Sequence, residues 1–128
     1  MNAQAASLGA RIVAAGLFTE VVGSINWIGR ILSVAAVYDA PVFVIVALRG
    51  IVTALQAAAA VQLWQQTAAG RRLAWPAFVA SAVLLSAELG FGLAPSSVPP
   101  GLEWPLTAAY ACYAVVALAV LRATDRDK

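Results

Sequence analysis

A chain of 128 residues with 62% hydrophobic and 11% charged side chains, and a mean hydropathy of +0.86, has too little polar surface to cover a soluble globule of its size. The net charge of +2 and pI near 9.1 come from basic residues set mostly between apolar stretches, where they orient a membrane chain; no nucleic-acid partner is expected. With no histidine and a single cysteine, Cys112, the chain excludes histidine-ligated zinc, bis-histidine haem, an internal disulfide and a CxxC redox pair.

There is also no glycine-rich phosphate loop, so no nucleotide hydrolysis, metal or cofactor is expected. Cys112 lies in an apolar run and reads as a small buried hydrophobe. The first ten residues carry no basic side chain and Glu20 interrupts the first apolar stretch, so a cleaved signal peptide is not expected.

Four apolar spans follow in chain order, at approximately 12–30, 41–67, 73–94 and 104–121. The first lies between Arg11 and Arg30, and the apolar run Ile31 to Tyr38 either extends it or lies at the interface. The second starts at Pro41, a residue suited to a first helical turn, and is closed by Gly70-Arg71-Arg72. The third carries Pro76 in its opening turn and stops before the loop Ala94-Pro95-Ser96-Ser97-Val98-Pro99-Pro100-Gly101, which cannot continue a helix. The fourth starts at Trp104-Pro105 and ends at a charged tail.

Arg11, Arg71, Arg72, Arg122, Arg126 and Lys128 fall on one side of these spans and Arg30 on the other, so the positive-inside rule places both termini in the cytoplasm. Trp64 and Trp75 then sit near the inner boundary, and Trp27 and Trp104 near the outer one. Small residues, as in Ala57 to Ala60 and Ala108 to Ala111, allow close helix approach. The expectation is an antiparallel bundle of four transmembrane helices forming a single domain over 1–128, an integral multi-pass membrane protein and a possible homo-oligomer.

Glu20, Arg49 and Glu88 lie inside these spans, where a charge costs at least ~2.5–3.5 kcal/mol and normally faces a bundle interior or a cavity. Each span offers one polar stripe: Gly16, Glu20, Gly23 and Trp27; Arg49, Thr53 and Gln56; Ser81, Glu88 and Gly92; Thr107, Tyr110 and Tyr113. At ~1.5 Å of rise per residue, Arg49, Glu88, Tyr110 and Tyr113 reach one level in the outer half of the membrane, with Glu20 somewhat deeper. The expected pocket is walled by Arg49, Glu88, Tyr110 and Tyr113, with Glu20 and Gln56 at its floor. Two carboxyls facing one guanidinium make Glu20 and Glu88 the candidate proton carriers or general acid/base groups, and Arg49, Gln56, Tyr110 and Tyr113 the candidate binding residues.

The segment Glu20-Val21-Val22-Gly23-Ser24 resembles the first-helix carboxylate motif of the small multidrug resistance transporters, and chain size and span number agree with it. That resemblance implies a membrane-embedded glutamate that binds protons and cationic compounds in turn. It covers five residues and departs from the family in the third span, which has Glu88-Leu89-Gly90-Phe91-Gly92 and no tryptophan beyond Trp75, and in Arg49, which opposes binding of a cation.

Three readings follow. The first is proton- or ion-linked transport or binding of a small solute. The second is an intramembrane acid/base enzyme, of isomerase, cyclase or epoxide-opening type, acting on a lipophilic substrate. The third is a non-catalytic subunit whose charges pair with a partner's helices.

Overall fold

The computed structural model describes residues 3–95 and 98–125 and is helical throughout its regular elements. Helix α1 runs Ala3–Ser33, α2 Ala40–Trp64, α3 Ala68–Leu85 and α4 Glu103–Asp125. Four stretches within these elements, of 22 to 27 residues, are long and apolar enough to cross a membrane.

Helix α1 meets no proline and carries its glycines singly, so it continues well beyond the expected 12–30; a short 3₁₀ turn, Ala35–Val37, follows. Asp39 stands in the extended conformation before α2, and Pro41 sits within the first two helical positions, as expected.

The turn between α2 and α3 comes at Gln65–Thr67, earlier than the Gly70-Arg71-Arg72 segment expected to close the second span. Gln66 takes the left-handed conformation (φ 61°), and the Thr67 hydroxyl accepts a hydrogen bond from the Gly70 N–H at 3.2 Å as an N-cap. Helix α3 therefore begins at Ala68 instead of Leu73, and Pro76 lies in its interior. Gly70 serves close approach and not termination: a Cβ there would lie 2.5 Å from the Leu63 nitrogen on α2.

At its far end α3 passes into a π-helical turn, Ser86–Gly90, before the chain leaves through Gly92 at positive φ. A single inserted residue of this kind leaves no trace in hydrophobic periodicity, which is why the sequence reading continues the α-helix to residue 94.

Helices α1 and α3 each pack on both α2 and α4, which closes a four-membered ring of helices. The beginning of α1, the α2–α3 turn and the end of α4 gather at one end: Gln66 donates to the Ser7 hydroxyl, and Gly9 faces Val120 and Thr124. From this end the core is filled by Ala14, Leu17, Ala59, Ala60, Leu63, Ala74, Ala77 and Phe78, all fully buried. The many alanines let backbones approach closely, which is the main means of helix association when no hydrophobic force acts between them. Cys112 is exposed on the outer surface of α4, against the expectation of a buried position, because the buried face of α4 is set by Ala114, Ala117, Leu118 and Leu121.

Candidate functional site

Beyond the alanine-rich core the same inward faces turn polar. On α1 the stripe Ala10, Val13, Ala14 and Leu17 continues at helical spacing into Glu20, Ser24 and Trp27. On α2 the buried face reads Ile45, Val46, Arg49, Val52, Thr53, Gln56, Ala59, Ala60 and Leu63, so Arg49 points inward by the register that buries the core. On α3 Ser81 is buried one turn beyond Ala77 and Phe78, and the π-helical turn carries Glu88 inward as well.

These side chains border a cavity of about 400 Å³ at the end of the bundle that carries the α3–α4 loop. Glu20, Arg49, Ser81, Glu88 and Tyr110 supply its polar wall; Trp27, Leu85, Leu89, Pro95 and Val98 supply the apolar one. Trp27 donates its indole N–H to the Pro95 carbonyl at 3.4 Å, which ties the start of the α3–α4 connection to α1 beside the cavity.

The central contact is a two-pronged ion pair. Arg49 Nε and Nη2 donate to Glu88 Oε1 and Oε2 at 3.0 and 2.8 Å, and both residues are buried. This fork matches the planar guanidinium to both carboxylate oxygens and is the strong form of such a bond. Nη1 reaches the Ser81 hydroxyl at 3.5 Å, and Thr53 returns its hydroxyl to the Arg49 carbonyl at 2.6 Å, steadying the helix turn that bears the arginine. The Glu88 carboxylate thus pairs with the arginine, and Glu20 is left with no ion pair of its own among the described residues.

Glu20 faces Tyr110, Gln56 and Arg49. Glu20 Oε2, both Gln56 amide heteroatoms and the Tyr110 hydroxyl oxygen are buried; Tyr110 and Gln56 face Glu20 and Tyr110 also faces Ser81, although none of these approaches reaches the geometry of a full hydrogen bond among the described residues. This polar group lies beside an ion pair that is already satisfied.

Of the residues expected at the site, Glu20, Arg49, Glu88 and Tyr110 converge on the cavity. Gln56, expected at the floor with Glu20, is fully buried and faces Glu20 but does not line the cavity. Tyr113 departs from the expected wall: its ring packs edge-on to Phe78 and Tyr110, and its hydroxyl is seated against Gly16. Three-residue steps fall about 60° short of a full turn, so two of them carry Tyr113 roughly 120° away from Thr107. Trp27, read mainly as an interfacial residue, and Ser81, Pro95 and Val98 join the lining. The loop residues carried no signal beyond their proline content. Among the described residues no cluster of three or more metal-ligating side chains occurs.

A comparison with protein-family models, with curated proteins and with solved structures finds no match for this chain. The five-residue likeness at Glu20 to the small multidrug resistance transporters gains no support from it, and the functional reading rests on the cavity.

Proposed function

We propose that this chain is a multi-pass membrane protein, an antiparallel four-helix bundle with both termini cytoplasmic, whose outer-end cavity binds a small solute in exchange for a proton on Glu20. The supporting observation is the charge balance of the cavity: Arg49 and Glu88 pair at 2.8 and 3.0 Å, and the Glu20 carboxyl faces the same guanidinium without an ion pair of its own, so two carboxyls share one positive charge. In a low-dielectric interior a lone carboxylate is neutralised by a proton or by a ligand group that brings positive charge or hydrogen-bond donors. A solute with such a group at Glu20 and Tyr110, and an apolar body against Trp27, Leu85 and Leu89, suits the lining.

Beneath the cavity the bundle is closed by Leu17, Leu63 and Phe78, none of which is exposed. In a transport cycle, release on the other side would require these three side chains to part. The same closed floor favours a second reading, an acid/base enzyme in which Glu20 exchanges protons with a lipophilic substrate and Tyr110 assists. The three charged residues converge on one cavity instead of facing outward, which counts against a subunit that pairs them with a partner's helices.

The test is mass spectrometry of the purified protein after incubation with metabolite and lipid extract of its own cells, for wild type and Glu20→Gln, with proton release recorded in weakly buffered solution. A ligand recovered unchanged, retained roughly tenfold more weakly by the variant and released with a proton by wild type alone, is the expected result. A Glu20-dependent new product would establish the enzyme instead. Ligand retention and proton release unaffected by the substitution would overturn both readings.

A further inference from the structure

A second cavity, of about 450 Å³, opens at the opposite end of the bundle between the first turns of α3 and the last turns of α4. Its lining among the described residues is Ala68, Arg71, Arg72, Trp75, Leu121 and Arg122. Arg71 is the fixed part of this wall. Its Nη1 donates to the Leu121 carbonyl at 2.5 Å and to the Thr124 hydroxyl at 2.9 Å, so the guanidinium closes the C-terminal turn of α4 and ties it to α3. Arg72 and Arg122 are exposed, one from each helix.

Arg72 and Arg122 set two exposed like charges, one from each helix, at this concavity, and an anion seated between them meets both. Guanidinium groups suit phosphate oxygens in particular, since their donors form a planar fork. From the cavity rim Trp75, Val79 and Val83 continue at four-residue spacing as an exposed apolar stripe along α3. A phosphate in the cavity would therefore sit at the head of an apolar track, with the tryptophan ring at their boundary.

We propose that this cavity binds a phosphate group, held between Arg72 and Arg122 against the Arg71 wall, as the headgroup of an acidic phospholipid or as a free phosphate. The site is independent of the Glu20 cavity and of its proposed activity. The lipid arm draws on the apolar stripe, and the free-phosphate arm on the arginines alone.

Native mass spectrometry of the full chain in neutral detergent, titrated with dioctanoyl phosphatidylglycerol, dioctanoyl phosphatidylcholine and inorganic phosphate, tests it. The double variant Arg72→Gln/Arg122→Gln leaves the Arg71 tie in place, and Arg30→Gln at the other end is the charge control. Phosphatidylglycerol is expected to bind wild type and Arg30→Gln alike, about tenfold more weakly to the double variant, and more tightly than phosphatidylcholine. Inorganic phosphate binding as tightly as phosphatidylglycerol, with the same loss in the double variant, would assign the site to free phosphate. Binding equal in wild type and double variant, or no preference for either phosphate probe over phosphatidylcholine, would overturn the proposal.

Discussion

At the scale of single residues the site divides into a satisfied pair and a looser polar triad. Arg49 and Glu88 complete one another, whereas Glu20, Gln56 and Tyr110 face one another without hydrogen bonds of full geometry. Breaking the pair by Glu88→Gln should therefore cost about 3–5 kcal/mol, because it strands a buried guanidinium. Replacing both partners with methionine should cost far less, since an apolar pair of similar volume leaves no charge unpaired. Thermal unfolding of the two variants in detergent measures the contrast. The tyrosines should also separate. Tyr110→Phe removes a donor at the cavity and should weaken solute binding by about 1 kcal/mol, or roughly fivefold. Tyr113→Phe should leave binding unchanged, because its hydroxyl rests on Gly16 outside the cavity. Equal effects of the two substitutions on the dissociation constant would remove Tyr110 from the site.

At the scale of elements, turns and helix irregularities decide where side chains point. The α2–α3 turn works because Gln66 accepts positive φ and Gly70 lets the two helices touch. Gly70→Ala places a methyl against the α2 backbone and should destabilise the bundle by about 1–3 kcal/mol, as overpacking does. Gly29→Ala is the matched control. Nothing lies within 4 Å of its Cβ position, so it should stabilise α1 slightly, by up to about 1 kcal/mol, through helix propensity. Denaturation midpoints of the two variants should move in opposite directions. The inward faces of α1 and α2 were legible from spacing alone, since seven-residue steps fall only about 20° short of two full turns. The π-helical turn under Glu88 was not legible, because one extra residue in a helix is fixed by packing and backbone hydrogen bonding instead of by a hydrophobic period.

At the scale of the whole molecule the bundle has a packed half and a hollow half. Alanines at positions 14, 59, 60, 74 and 77 bring the helices together at the arginine-rich end; Glu20, Arg49, Ser81 and Glu88 hold them around a cavity at the other. This predicts access from one end only. With the native thiol removed by Cys112→Ala, a substitution on the exposed surface of α4, a cysteine at Ser24 should react with a charged maleimide while one at Ala60 should not. Reaction at Ala60 would show a path through the floor and would favour a channel.

Sequence alone was enough to show that the chain forms long apolar helices, that three charges lie inside them, and which faces of α1 and α2 turn inward. Those properties follow from composition and local periodicity, which every residue carries independently of its partners. Helix packing was needed to show that Glu88 and not Glu20 pairs with the arginine, that the Tyr113 hydroxyl sits against Gly16, and that Pro95 is held to Trp27 at the cavity. Each of those outcomes depends on the rotation and depth of one helix relative to another. A guanidinium with two carboxyls within reach pairs with the one whose backbone brings both oxygens to its fork, and that geometry exists only once the helices have packed.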